Sequence, residues 1–202
     1  MSIKEFDGGL QKDHKVSIGI DQSLTGFAFS AVSAELPQEH KTWVYKSPYK
    51  GVQRLYDIQN FLWDRLDELD KNGNKFTDIA MEGTVLASQA ALVLGELSAT
   101  VKLLCYNLFE GTSNFYPEPP QIMRTPLQVP PMTLKKYATG KGTAKKQEML
   151  LQIFKRWGVE FNDDNAADAY ALARLAGGHT IDKVEQEIVY KMNDVKYRDT
   201  IQ

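Results

Sequence analysis

A strand–turn–strand motif at residues 16–26 constrains the fold of this chain more than any other feature. Its sequence is Val-Ser-Ile-Gly-Ile-Asp-Gln-Ser-Leu-Thr-Gly. Apolar residues alternate with small ones up to Ile20, which predicts a strand inside a sheet. Asp21 stands where that strand stops. A carboxylate at the end of a central strand is well placed to face a site, although Asp also favours simple turns, so both interpretations of Asp21 are open here.

Composition narrows the class of protein. The 202 residues suit one domain with short appendages, and a hydrophobic fraction of 43% can build a core. The single cysteine, Cys105, cannot form an internal disulfide, which fits a reducing cytoplasm. The three histidines are far apart in the sequence and show no metal-ligand spacing. We find no apolar run of membrane-spanning length and no signal peptide, so we expect a soluble cytoplasmic protein.

The remaining patterns predict strands first and helices later. The expected elements are a loose tail over residues 1–14, strands at 16–21, 26–32, 42–45 and 77–81, helices over 55–69 and 87–109, a short strand at 127–129, a helix containing residues 149–157, a helix over 166–176 and a terminal amphipathic segment over 181–195. The strand at 77–81 is followed by Glu82, a second carboxylate at a strand end. Glu82 also fits a simple solvated charge before a loop.

A third carboxylate lies on the helix predicted over 166–176. Residues 162–165, Asn-Asp-Asp-Asn, form a suitable cap for its start. Asp168 shares a face with Leu172 and Leu175 and therefore points toward the sheet. Such a carboxylate is costly unless something cationic meets it, which makes Asp168 the strongest functional indication in the chain.

Small residues recur every four positions on the helix predicted over 87–109. Ala87, Ala91, Gly95 and Ala99 leave one ridge of this helix without bulk. The ridge permits close approach to another backbone. Tight packing on the chain's own sheet and a helix pair across a dimer interface are both compatible with it.

Residues 133–156 concentrate positive charge in a chain whose net charge is −2. They contain seven Lys and Arg residues against one acid, Glu148. The Thr-Gly-Lys-Gly-Thr loop at 139–143 runs into a helix, so a phosphate partner would meet backbone amides, a helix N-terminus and lysines together. A solvated basic face is the alternative.

The three acids converge on one sheet edge if the first and fourth strands are neighbours. Clustered carboxylates repel one another unless cations neutralise them. Magnesium prefers oxygen ligands and keeps several waters, so a few carboxylates suffice. Two such ions about 4 Å apart would clamp the attacking and leaving oxygens of a phosphodiester. Asp21, Glu82 and Asp168 therefore favour nuclease chemistry.

Four segments together resemble the RuvC-like Holliday-junction resolvases of the ribonuclease H-like superfamily, especially the phage-encoded branch. They span roughly residues 15–176 and follow in the family's order. The segments are Ile-Gly-Ile-Asp-Gln-Ser-Leu-Thr-Gly at 18–26, Ile-Ala-Met-Glu at 79–82, Thr-Gly-Lys-Gly-Thr-Ala-Lys-Lys at 139–146 and Asn-Ala-Ala-Asp-Ala-Tyr-Ala-Leu at 165–172.

This resemblance implies an α/β fold, with a five-stranded mixed sheet flanked by helices, and a homodimer. It implies hydrolysis of Holliday junctions or other branched DNA with two Mg²⁺ ions per active site, for which Mn²⁺ substitutes, and a role in DNA recombination and repair. Asp21, Glu82 and Asp168 take metal-ligand roles. The fourth ligand falls on Asn165, a neutral amide where many relatives carry Asp or another side chain, and adjacent Asp164 is a substitute.

The same resemblance assigns DNA contacts. Lys145 or Lys146 matches the family's basic residue near the scissile phosphate; the choice stays open, and Lys146 is grouped with the catalytic set. The residue that probes the junction centre falls at Val85 or Leu86. The other residues expected to bind DNA are Lys135, Lys136 and Lys141. The nuclease domain would span residues 15–177, preceded by the tail at 1–14 and followed by a helical extension at 178–202.

Two other classes of protein are compatible with parts of the pattern. Sugar kinases and actin-like ATPases also have an acid followed by Thr-Gly in the first hairpin, but they need two such domains and a second phosphate loop, which we do not expect in 202 residues. A nonenzymatic branched-DNA-binding module would keep the fold without the chemistry. The presence of all three acids argues against that alternative. We expect no nucleotide cofactor and no membrane partner.

Overall fold

The computed structural model describes residues 2–83, 91–111 and 125–200, with the side chains of 2–83, 91–107 and 125–198. Within those residues the strands are β1 Ser2–Asp7, β2 Lys15–Asp21, β3 Phe27–Ser33, β4 His40–Lys46, β5 Lys75–Glu82 and β6 Leu127–Val129. The helices are α1 Gly51–Lys71, α2 Ala91–Gly111, α3 Pro131–Thr139, α4 Lys146–Trp157, α5 Asp164–Ala176, α6 Lys183–Met192 and α7 Val195–Thr200.

The strands form one mixed sheet in the order β1-β4-β3-β2-β5-β6. β2 pairs with β3 antiparallel and with β5 parallel, so it is a central strand. β5 also pairs with β6 in parallel. The predicted neighbours, the strands that end at Asp21 and Glu82, therefore lie side by side and point the same way.

The N-terminal segment corrects the sequence prediction of a loose tail and a five-stranded sheet. Residues 2–7 form a sixth strand, β1, antiparallel to β4 at the edge of the sheet. Phe6 packs edge-on against Phe161, with ring centroids 5.3 Å apart. Lys4 donates to Asp163 at 2.9 Å. The strand was missed because its side chains are mostly exposed and it lacks an apolar alternation.

Helices cover both faces of the sheet. On one face α1 and α2 pack against Val16, Ile18 and Ile20 of β2. The opposite face carries α5 and the helices around it. Because side chains alternate along a strand, Ser17, Gly19 and Asp21 all lie on the α5 face. That alternation directs the strand-end acid toward the helix that carries Asp168.

Two helical regions differ from the sequence prediction. Residues 111–131 hold six of the eight prolines, so no helix was expected there, but α3 begins at Pro131, where Pro suits the first helical position. The terminal amphipathic segment divides into α6 and α7, and Arg198 of α7 forms a buried ion pair with Asp78 of β5. No helix in the described part of the chain is long and apolar enough to cross a membrane.

Candidate active site

A cleft of about 480 Å³ opens at the carboxyl ends of β2 and β5. Its walls come from both strand ends, the turn after β2, Leu94 of α2, the helix α3 and the starts of α4 and α5. The cleft is lined by side chains that include Asp21, Gln22, Glu82, Lys135, Lys146, Asp164, Asn165 and Asp168. The three acids predicted from widely separated segments therefore share one cleft.

The close approach of α5 to β2 sets the position of Asp168. Ser17 donates its hydroxyl to the carbonyl oxygen of Ala173 at 2.7 Å. Two residues on, Gly19 lies so near the helix that a Cβ there would meet the Ala169 oxygen at 2.0 Å and the Ala173 nitrogen at 2.3 Å. Only glycine permits this approach. The next residue on this face of the strand is Asp21.

The carboxyl groups in the cleft lie close enough to change one another's pKa. Asp21 is 4% exposed and its carboxyl group shares a hydrogen bond with Glu82. Burial, reinforced by the charges of Glu82, Asp168 and Asp164, raises the pKa of Asp21 well above its usual value. Burial and the charges of Glu82 and Asp164 raise the pKa of Asp168 to about 7. The surroundings therefore favour the protonated forms of Asp21 and Asp168, whereas a bound cation would favour their ionised forms.

Burial also raises the pKa of Glu82, but two lysines oppose this effect. The charges of Lys135 and Lys146 lie close enough to favour the ionised form of Glu82. Both lysine charges also lower the pKa of Asp168, against the effect of burial. Lys146 pairs directly with Asp164. One wall of the acidic cleft is therefore cationic.

The start of α5 places Asp164 and Asn165 in the same cleft with different surroundings. Asp163 is the N-cap and accepts a hydrogen bond from the Asn165 backbone nitrogen at 3.2 Å. Asn165 lies against the turn after β2: a Cβ at Gly26 would stand 2.4 Å from its Nδ2. Asp164 faces Lys146 instead. The geometry thus keeps both residues as candidates for a fourth ligand.

The structure separates the predicted DNA-binding residues into two groups. Lys135 and Lys146 line the cleft. Lys136, Lys141 and Lys145 are exposed beside it, around the turn between α3 and α4. Lys141 lies 3.7 Å from Glu148. Val85, expected to probe the junction centre, lies outside the described residues.

Sequence reasoning missed the structural roles of Gln22 and Gly19. Gln22 is buried and donates from its side-chain nitrogen to the Glu82 carbonyl oxygen at 2.6 Å. The only signal in the sequence was an amide residue directly after the strand-end acid. Gly19 was part of the strand pattern, but nothing in the sequence indicated how near α5 would lie.

The oxygen atoms in the cleft are of the type that a hard divalent cation prefers as ligands. Carboxylate oxygens dominate the cleft, and Asp21 and Glu82 are desolvated while facing each other. Among residues 2–83, 91–107 and 125–198, no three His, Cys, Asp or Glu side chains are arranged so that they could hold a metal ion by themselves. A magnesium ion bound here would therefore need water ligands beside the carboxylates, and magnesium usually keeps several of its waters.

The fold is α/β, with one mixed sheet flanked by helices, and it resembles the solved structures of a RuvC protein, which confirms the predicted class of fold. No protein-family model and no curated protein matches the sequence. The RuvC structure from Thermus thermophilus aligns with a TM-score of 0.54 at 20% identity, over 88% of this chain and 96% of that chain. The structure of T. thermophilus RuvC in complex with Holliday junction substrate aligns with a TM-score of 0.54 at 20% identity, over 79% of this chain and 91% of that chain.

Proposed function

We propose that this protein is a metal-dependent endonuclease that cleaves Holliday junctions or other branched DNA. The observation that carries the proposal is the meeting of Asp21, Glu82 and Asp168 at the end of the central strands, beside two lysines. A cluster of desolvated carboxylates destabilises a fold unless it serves a cation. The Thermus thermophilus RuvC solved with Holliday junction substrate has the same fold, which supports branched DNA as the substrate class.

Asp21, Glu82 and Asp168 would hold two Mg²⁺ ions, with Mn²⁺ as a substitute, and Asn165 or Asp164 would complete the set. When bound, the two ions supply a clamp for the attacking and leaving oxygens of the phosphodiester. Lys146 pairs with Asp164 and lies within reach of the charges of Asp168 and Asp21, and it would bind a phosphate oxygen at the cleaved bond. Lys135, which also lines the cleft, would orient the adjacent backbone.

Cleavage assays on a four-way junction, a fork and linear duplex test this function. We expect incision of the branched substrates with Mg²⁺ or Mn²⁺ and none in EDTA. Junction binding without incision under every metal condition would favour the nonenzymatic binding module instead. Equal incision of linear duplex would refute structure selectivity.

The exposed lysines around the α3–α4 turn are proposed to bind the DNA backbone. Replacing Lys141, Lys145 and Lys146 by Ala should weaken binding to every DNA tested. Each lost phosphate contact should reduce the slope of log K against log salt by about 0.9. Lys71→Ala is the matched control, because Lys71 is exposed on α1, which packs on the opposite face of the sheet. An unchanged salt slope in the triple variant would show that these lysines are solvated and do not contact DNA phosphates.

We propose a homodimer formed through α2, with two equivalent active sites for the two strands of a junction. The buried side of α2 carries Leu97, Val101 and Leu104. Its other side exposes Leu92 and Leu103 at 78% and 62%. A Cβ at Gly95 would meet no described atom within 4 Å, so this part of the small-residue ridge does not pack on the sheet. Among the described residues, the ridge is therefore available to a second copy.

Light scattering should give about twice the 22.8 kDa chain mass. Leu103→Glu should yield the monomer, because a dimer interface would bury the new charge. Val52→Glu is the control, since Val52 is 79% exposed on α1 and its variant should stay dimeric. A wild-type monomer at micromolar concentration, with and without DNA, would contradict paired incision.

The Asn165 position gives a prediction about metal affinity. A neutral amide binds a hard cation more weakly than a carboxylate, so Asn165→Asp should lower the Mg²⁺ concentration needed for half-maximal cleavage. Asp164→Ala is the comparison. If Asp164→Ala abolishes activity and Asn165→Ala does not, Asp164 is the fourth ligand. If the metal dependence is unchanged in all three variants, neither residue is a metal ligand, and both serve only to form the start of α5.

Three finer assignments rest on the sequence resemblance. We propose that the chain belongs with the phage-encoded resolvases and acts in the host-cell cytoplasm, in recombination and repair. We further propose that residues 15–177 are the nuclease domain and 178–202 an extension. β1 packs against this domain through Phe6 and Lys4, so deleting residues 1–14 would test the boundary by its effect on the unfolding temperature.

A further inference from the structure

The ends of β2 and β5 place two acidic side chains next to each other. The backbone register between the two strands runs to Ile20 opposite Met81. Asp21 and Glu82 are the next residues along each strand, and their carboxyl groups share a hydrogen bond. The spacing of the two strand ends therefore sets the spacing of two acids in the proposed metal site.

Gln22 connects these two strand ends. Its side chain is buried, 5% exposed, in the wall of the cleft. Its Nε2 donates to the main-chain oxygen of Glu82 at 2.6 Å. On its other side Glu82 is in register with Val129 of β6, whose oxygen accepts from the Gly83 nitrogen at 2.8 Å. The Glu82 backbone is thus held by a strand on one side and by the Gln22 amide on the other.

We propose that Gln22 is a positioning residue for the metal site: it sets the distance between the Asp21 and Glu82 carboxylates. The inference rests on the proposed function. Gln22 follows one acid in the chain and its side chain binds the backbone of the other, so this hydrogen bond links the two acids. It is neutral and therefore adds no charge to the acidic cleft. Groups that orient metal ligands in this way typically change metal affinity by about 10- to 100-fold when removed.

The same two strands provide a matched control at their opposite end. Thr77 of β5 donates its hydroxyl to the Val16 carbonyl oxygen of β2 at 3.1 Å. This is also a side-chain to main-chain bond between β2 and β5, but it lies far from the cleft. Thr77→Val removes that bond and keeps the shape of the side chain. It measures the effect of one lost cross-strand bond on stability alone.

The test compares Gln22→Met, which keeps the length and loses the donor, with Thr77→Val and wild type. Metal affinity is measured without DNA or turnover, from the rise of the unfolding temperature during a Mn²⁺ titration. We expect Gln22→Met to bind Mn²⁺ about tenfold more weakly and to recover cleavage at high metal concentration. Its junction affinity in EDTA should equal that of wild type. Thr77→Val should keep the wild-type metal affinity.

A second variant, Gln22→Asn, keeps the amide but withdraws it from the Glu82 carbonyl, and it should also weaken Mn²⁺ binding. It decides the question if Gln22→Met does not fold. Wild-type metal affinity in a folded Gln22 variant would overturn the positioning role while leaving the nuclease intact. If wild type itself gains no stability from Mn²⁺ and cleaves nothing, the proposed function fails and the role of Gln22 fails with it.

Discussion

Replacing Asp21 by Asn is expected to abolish cleavage while junction binding survives. Asp21 is the buried acid at the centre of the cleft and touches Glu82 directly. Removing one principal electrostatic contributor to a transition state costs a factor of about 10²–10³, and a lost metal ligand should cost at least that. Glu82→Gln should likewise lose cleavage and keep junction binding. Gel-shift affinity in EDTA and cleavage with Mg²⁺, measured side by side, check this result.

The stability of the Asp21→Asn variant separates loss of chemistry from loss of fold. Because its pKa is raised, folded Asp21 holds its proton more tightly than the unfolded chain does. Ionised Asp21 therefore destabilises the folded protein as the pH rises above the usual carboxyl range. Asn carries no such cost, so at about pH 8 the metal-free variant should unfold at the wild-type temperature or above. Wild-type cleavage rates in either variant would refute the ligand assignment.

Gly19→Ala is expected to cause the second large effect, this time through the fold. The new Cβ would meet backbone atoms of Ala169 and Ala173 at 2.0 and 2.3 Å, so α5 must move by more than an ångström. Overpacking of this kind costs about 3 kcal/mol of unfolding free energy. Displacing Asp168 by about 1 Å should reduce cleavage by about 100-fold. Urea unfolding and single-turnover cleavage measure the two effects.

Two comparisons make the Gly19 result specific. Ser17→Ala removes the hydrogen bond between β2 and Ala173 without adding an atom, so it should cost only about 1 kcal/mol. Truncating Leu172 should not rescue Gly19→Ala, because the two nearest obstacles are main-chain atoms. Rescue by Leu172→Ala, or wild-type stability of Gly19→Ala, would show that α5 does not lie as near as the geometry indicates.

Local patterns predicted the parts of this protein that depend on neighbours in the chain. The alternation before Asp21 gave β2, and the Asn-Asp-Asp-Asn segment gave the start of α5. Both were confirmed, because side-chain period and capping act over a few residues. Asp21 and Glu82 stand at the ends of two parallel neighbouring strands, and Asp168 lies on the helix that covers them. The three acids therefore share one cleft.

Segments whose structure depends on distant partners were predicted less well. β1 is polar, and its pairing with β4 joins segments more than thirty residues apart, with Ser2 opposite Lys46. No period within residues 2–7 could indicate that partner. The helix α3 was not predicted, because the prolines before it indicated an irregular segment, although Pro131 itself suits a helix start.

The sequence by itself determined which chemical groups the chain brings to its cleft: three acids in a fixed order, an amide at Asn165 and a basic segment. Only the tertiary structure decided how those groups meet. It placed Lys146 against Asp164, and it bound the Gln22 amide to the Glu82 backbone. The physical reason is that residue type and spacing are local properties, whereas an ion pair or a close approach depends on where separate segments pack.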